Sequence, residues 1–261
     1  MFVNSLLEDA ARQCIWIGME GYLFQYNPTT GEMKAIEVFH NNSIKSLALD
    51  GDENLLAGTD NGLYVYQNDK EPLQHIIHDS RNIQSLTNNI IWNIFSDQEH
   101  NIWLGTDYGI SLSRYNSALQ FVPISQITGT GDGNQFYSLF RDSKGFYWFG
   151  GTNGVIRFTH PAGNKHDAIW YRMGDKNYPL SHNRIRHIYE DREQQLWIAT
   201  DGSINRYDYN THQFVHYNIV DSTGTYNTNW AYYLFEDTDG KLWICLLYTS
   251  PSPRDGLLSR M

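Results

Sequence analysis

Residues 97–115 read DQEHNIWLGTDYGISLSRY, and five further stretches of the chain repeat the same design. They are DAARQCIWIGMEGYLFQY at 9–26, DGDENLLAGTDNGLYVY at 50–66, DSKGFYWFGGTNGVIRF at 142–158, DREQQLWIATDGSINRY at 191–207 and the shorter DTDGKLWIC at 237–245. Six residues after each opening aspartate stands a tryptophan; the first unit takes seven, and the second has Leu56 instead. Two positions on come Gly18, Gly58, Gly105 and Gly150, then Ala199 and Cys245. A second glycine follows at 21, 62, 109, 154 and 202, and an aromatic closes the segment at Tyr26, Tyr66, Tyr115, Phe158 and Tyr207. Eight residues before five of the aspartates stands an asparagine: Asn42, Asn89, Asn134, Asn183 and Asn229. The intervals between anchors are 40, 47, 45, 49 and 46 residues, so one structural unit is repeated six times.

Each unit reads as strand, Asp turn, strand, Gly turn, strand, loop, strand. In the third unit the strands are IIWNIFS, NIWLG, ISLSRY and LQFVPI. The turns carry the residues that hairpins demand, and four short strands per ~45 residues is the size of a propeller blade. The spacing therefore predicts an all-β β-propeller fragment, with about five complete four-stranded blades and a truncated sixth. The blades fall near 1–39, 40–80, 81–126, 127–175 and 176–220, with a partial one at 221–245. Strict alternation would point Ile91 and Phe95 to one face and Ile94 to the other, as for a sheet covered on both sides. The last stretch, 246–261 (LLYTSPSPRDGLLSRM), abandons the pattern and reads as a non-native or disordered tail, similar to translated vector sequence. Met1 stands where an asparagine should, so the chain is expected to be cut from a longer protein.

Composition excludes several functions. Aromatics make up 15% and charged residues only 18%, a strand-forming mixture. With a formal net charge of −10 and no Lys/Arg run, the chain is not expected to bind nucleic acid or an anionic lipid surface. No apolar run nears the ~18 residues of a membrane span, and the first residues lack the regions of a signal peptide. Two cysteines, Cys14 and Cys245, make no framework. Asp50-Gly-Asp52 and Asp237-Thr-Asp239 look like calcium loops but lack the bidentate acid, so they read as hairpin turns. His75 with His78, and His182 with His187, have no clustered third ligand, so no metal or cofactor is expected. No nucleophile or phosphate-loop motif is present, and the glycines read as turn glycines with positive φ.

Five residues before each aspartate the pattern stops repeating: Asn4, Lys45, Trp92, Tyr137, Arg186 and Tyr232. This position opens each blade's first strand. Aromatic faces there suit pyranose CH groups, and Lys, Arg and Asn suit hydroxyls or a carboxylate. The competing reading is that the aromatics pack between blades while Lys45 and Arg186 reach solvent. Trp230 and the loops 79–89, 125–134 and 218–229 are further candidates.

The strings NLLAGTDNGLYVYQ, NIWLGTDYGISLSRY, FYWFGGTNGVIRF and QLWIATDGSINRYD resemble the two-component regulator propeller repeat over residues 1–245. Leu56, Met19, Gly151 and Ala199 depart from it at single turn positions. The resemblance implies the extracytoplasmic, periplasmic sensor of a hybrid two-component histidine kinase, which responds to oligosaccharides or another small molecule and signals as a homodimer. Membrane attachment would lie in parts of the parent outside this chain. The fragment itself would be no enzyme. Two rival expectations are a propeller lyase of the streptogramin-lyase type and a protein-interaction scaffold.

Overall fold

A computed structural model describes residues 3–36, 42–67, 74–117, 119–125, 134–159, 167–176, 179–219 and 230–246. Among them the β-branched and aromatic runs between tight turns form five four-stranded sheets and one two-stranded sheet, with antiparallel neighbours wherever the register is described. The first sheet is β1 (Val3–Asp9), β2 (Cys14–Met19), β3 (Leu23–Tyr26) and β4 (Met33–Ile36). The second is β5 (Ile44–Leu49), β6 (Leu55–Thr59), β7 (Gly62–Tyr66) and β8 (Gln74–Ile76). The third is β9 (Ile91–Ser96), β10 (Ile102–Thr106), β11 (Gly109–Ser113) and β12 (Phe121–Pro123). The fourth is β13 (Phe136–Arg141), β14 (Tyr147–Gly151), β15 (Gly154–Phe158) and β16 (Ile169–Tyr171). The fifth is β17 (Ile185–Glu190), β18 (Leu196–Thr200), β19 (Ile204–Asp208) and β20 (Gln213–Tyr217). The two-stranded sheet is β21 (Ala231–Glu236) with β22 (Leu242–Leu246). In every sheet, spatial order follows chain order, the up-and-down meander of a propeller blade. The tail beyond 246 lies outside the described residues.

The chain divides into two compact units, 1–139 with 161–167, and 140–160 with 168–261. In the first unit, cores form between successive sheets: Trp16, Leu23 and Cys14 pack with Ile44, Leu47 and Leu55, and Leu56, Leu63 and Val65 pack with Ile91, Ile94 and Leu104. In the second unit Trp148, Val155 and Tyr171 share a core with Ile185, Ile188 and Tyr207, and Ala199 and Ile204 share one with Ala231 and Leu234.

These cores correct the alternation expected for Ile91 and Ile94. Both are buried in one cluster, although an odd spacing should separate them. The reason is a β-bulge: Ile91 pairs with Thr106 and Asn93 with Gly105, leaving Trp92 as an extra residue. The same shift stands between Val3 and Ser5, Ile44 and Ser46, Ile185 and His187, and Ala231 and Tyr233. The bulges in β5, β9, β17 and β21 each send the apolar residues at i and i+3 to the same core, whereas Val3 and Leu6 in β1 are exposed.

The first glycine of the repeat also needs a different explanation from the one its turn-like composition suggests. Gly18, Gly58, Gly105 and Gly150 lie in or beside the bulge pairing with no positive φ, but a Cβ on them would strike the next sheet's first strand. It would meet Ile44 at 2.6 Å, Ile91 at 2.7 Å, the Phe136 carbonyl oxygen at 2.7 Å and Ile185 at 2.4 Å respectively. Where the chain carries Ala199 instead, the residue opening the next strand shrinks to Ala231. Positive φ belongs to the second glycines, with values of 96°, 95° and 92° at Gly62, Gly109 and Gly154.

The repeat aspartate is a clamp. In the third sheet Asp97 Oδ1 accepts the Glu99 and Asn101 amides, while Oδ2 accepts Trp103 Nε1 at 2.8 Å. Asp9, Asp142, Asp191 and Asp237 hold Trp16, Trp148, Trp197 and Trp243 in the same way. The carboxylate thus closes the hairpin and fixes the indole, which is fully buried at Trp16, Trp103 and Trp148. Where Leu56 replaces the indole, Asn54 Nδ2 donates to Asp50 Oδ2. The repeat asparagine acts mainly through its backbone: the carbonyls of Asn42, Asn89, Asn134 and Asn183 accept the amides of Gly21, Gly62, Gly109 and Gly154 in the preceding sheet.

Candidate functional site

The position that varies between repeats is the bulge itself. Asn4, Lys45, Trp92, Arg186 and Tyr232 are the extra residues on β1, β5, β9, β17 and β21, and Tyr137 takes the equivalent place in β13. A bulge residue has no cross-strand partner, so the ladder imposes no side-chain type on it, and the local twist re-aims it. This is the physical reason that six units with fixed offsets carry six unconstrained side chains here.

In the first unit these side chains meet in a row. Asn4 Nδ2 donates to the Ile44 carbonyl at 2.9 Å. Lys45 Nζ lies 4.5 Å from the centre of the Trp92 ring, and Tyr137 meets Trp92 edge-on at 5.3 Å between centroids. The Trp92 indole donates to Asp107 Oδ1 at 3.0 Å. Gln135 Nε2 donates to the same oxygen at 2.6 Å, and the Tyr137 hydroxyl donates to Gln135 Oε1. Lys45, Trp92, Tyr137, Asp107 and Gln135 are all partly exposed. The aromatic pair is therefore already engaged, as the packing reading requires, while one edge of the row faces solvent.

In the second unit Arg186 closes a two-point ion pair on Asp201, with Nε to Oδ1 at 2.6 Å and Nη2 to Oδ2 at 3.0 Å. Its guanidinium lies 5.4 Å from the Tyr232 ring centre. Arg184 Nη1 approaches Asp201 Oδ2 at 3.9 Å. Tyr232 is 48% exposed and Trp230 45%. The open aromatic surface of the candidate residues thus lies here rather than at Trp92.

The partners Asp107, Gln135, Asp201 and Arg184 escaped sequence reading. The signal available for two of them was the TD pair at the Gly turn, at 59–60, 106–107 and 200–201. There the threonine hydroxyl caps its own turn by donating to the carbonyl of residue 62, 109 or 203. The aspartate then faces the next residues upstream: Asp60 accepts the Ser43 amide, Asp107 takes Trp92, and Asp201 takes Arg186.

The described histidines do not gather. His75 Nε2 bonds the Asn61 carbonyl and its ring stacks on Tyr64, while His78 Nδ1 bonds the Leu86 carbonyl. His182 Nδ1 accepts the Arg184 amide. His187 sits inside β17, not beside it: Nδ1 accepts the Leu234 amide, and the ring stacks on Tyr233 at 4.0 Å. Burial pushes its pKa down to about 4, so it is neutral near pH 7. Among the described residues no group of three or more His, Cys, Asp or Glu side chains is placed to hold a metal. The loop 79–89 is described, whereas 126–133 and 220–229 lie outside the described residues.

Residues 85–108, 130–153 and 179–202 match the two-component regulator propeller family. The chain is 85% identical to the extracellular domain of a B. thetaiotaomicron protein described as a hybrid two component system, BT4673, over 94% of this chain and 33% of that one, with a TM-score of 0.46. It is 23% identical to the extracellular domain of a second such protein, BT3049, with a TM-score of 0.70 over 92% of this chain and 32% of that one. It is also 23% identical over 238 residues to "Histidine kinase P4" of Formosa agariphila, covering 82% of this chain and 16% of that protein. The chain therefore spans about a third of the solved relatives and a sixth of the curated one. Among the described residues no helix is long and apolar enough to cross a membrane.

Proposed function

The chain is built from two-component regulator propeller repeats, and on that premise we propose that it is a non-catalytic, ligand-sensing part of the extracytoplasmic, periplasmic region of a hybrid two-component regulator. The ligand is an oligosaccharide. The observation that carries this reading is the bulge position: Lys45, Trp92 and Tyr137 in the first unit, and Arg186 and Tyr232 in the second, differ from one another where nothing in the ladder selects them. Aromatic rings beside amide, hydroxyl and guanidinium donors are the groups that sugars use, the rings taking CH faces and the donors taking hydroxyls. The matched family model, that of the two-component regulator propeller, supports the same reading. Kinase output and homodimerisation are proposed of the parent protein.

A glycan array probed with the labelled 261-residue chain tests the proposal. Retention on one oligosaccharide class, reduced in a Trp230→Ala/Tyr232→Ala variant of unchanged melting temperature, is the expected result. Uniform absence of retention contradicts it.

A further inference from the structure

The second unit carries an excess of positive charge at its bulge site, although the chain as a whole has a net charge of −10. Two guanidiniums, Arg184 and Arg186, share the single carboxylate of Asp201. The Asp201 side chain is 12% exposed and that of Arg184 44%, so the acid is covered and one cation faces solvent. Arg186 spends Nε and Nη2 on Asp201 and leaves Nη1. Arg184 makes only the long 3.9 Å approach and keeps its remaining N–H groups; among the described residues it forms no other ion pair. The Arg186 guanidinium lies over the exposed ring of Tyr232, and a second exposed ring, Trp230, precedes Tyr232 by two residues in the chain.

A guanidinium with an unused edge matches a carboxylate or sulfate by paired N–H···O bonds, which neutral hydroxyls reproduce only weakly. Asp201 neutralises one of the two cations and orients Arg186. Among the described residues the other positive charge has no counter-ion of its own. Exposed aromatic faces next to it suit the CH face of a pyranose. We infer that this site takes an acidic oligosaccharide, one bearing uronate or sulfate groups, with Arg184 and Arg186 on the anion and Tyr232 and Trp230 on the ring. The inference rests on the oligosaccharide-sensing reading and narrows it to an anionic class.

The test is calorimetric titration of the 261-residue chain with two panels. The acidic panel contains oligogalacturonates and chondroitin sulfate disaccharides; the neutral panel contains carboxyl-reduced oligogalacturonates and cello-oligosaccharides. Binding to an acidic member, with its neutral counterpart about tenfold weaker or more, is expected. Arg184→Gln removes no core contact and weakens the acidic ligand about fivefold or more, while Arg184→Lys restores part of the loss. Equal affinity for acidic and neutral members, binding confined to the neutral panel, or an Arg184→Gln variant with wild-type affinity overturns the acidic assignment and leaves the sensing reading in place. Failure of both panels contradicts the sensing reading itself.

Discussion

Gly150 in β14 approaches Ile185 in β17 so closely that a Cβ on the glycine would lie 2.4 Å from the isoleucine Cγ2 and 2.8 Å from its Cβ. Neither atom is the free end of a flexible chain, so the sheets themselves would have to part. Gly150→Ala should cost about 1–3 kcal/mol, the range of overpacking in a tight core. Combined with Ile185→Ala, the glycine substitution should cost much less than it does alone, because Ala199 already shares a core with Ala231 one sheet further on. Urea unfolding of the two single variants and the double gives the coupling, and strict additivity would contradict this account of the repeat glycine.

Asp97 gathers four donors: two backbone amides, the Asn101 amide and the Trp103 indole. Asp97→Asn turns one acceptor into a donor facing donors, and should lose about 2–3 kcal/mol. Trp103→Phe removes one donor and leaves the hairpin bonds intact, so its loss of polar stabilisation should be the smaller. If Asp97→Asn leaves the urea midpoint unchanged, the carboxylate is not the clamp.

Glu53, His100 and Gln194 adopt φ of 61°, 61° and 59° at the hairpin position where other repeats carry Gly145 and Gly240, at 87° and 78°. A side chain there is held in left-handed backbone at a steric cost. Gly145→Ala should therefore destabilise by about 1 kcal/mol. Glu53→Gly should be neutral to stabilising, because only the Glu53 carbonyl, accepting from Arg12, ties this residue to the first sheet. Thermal melts of both variants check the opposite signs.

His187 is held neutral by burial, with its pKa lowered from 6.5 to about 4. The unfolded chain takes up the proton first as pH falls. The stability contributed by the neutral ring is thus complete above about pH 6.5 and is lost progressively toward pH 4. Melting temperatures between pH 7.5 and 4.5, assay conditions spanning about that window, should fall more steeply for the wild type than for His187→Gln. Parallel slopes would contradict a buried neutral imidazole at this place.

How much of this was legible beforehand differs from residue to residue. The blades were legible because the Asp, Trp and Gly offsets recur, and the aspartates and second glycines mark turns that hydrogen bonding must close. The paired burial of Ile91 and Ile94 was not, because a strand read with period two contains no bulge, and the bulge appears only when Gly105 must pair across it. Gly150 and Gly154 are the same letter in sequence; one is small to admit Ile185, the other bends backward at φ 92°. Trp92, Arg186 and Tyr232 stood out by failing to repeat, and the bulge explains that failure. Asp107 and Asp201 did not stand out, since an aspartate after threonine reads as ordinary turn chemistry until its partner across the turn is known.

If Arg186 and Tyr232, with Trp230 nearby in sequence, contact the ligand, alanine substitution at them lowers its affinity. The affinity of the array-selected oligosaccharide for wild type, Trp230→Ala, Arg186→Ala and Tyr232→Ala is compared by calorimetry, with circular dichroism confirming the fold. A loss of about 1 kcal/mol or more is expected for Arg186→Ala and for at least one of the two aromatic variants. Wild-type affinity in all three folded variants would contradict it, leaving the bulge row as packing between sheets.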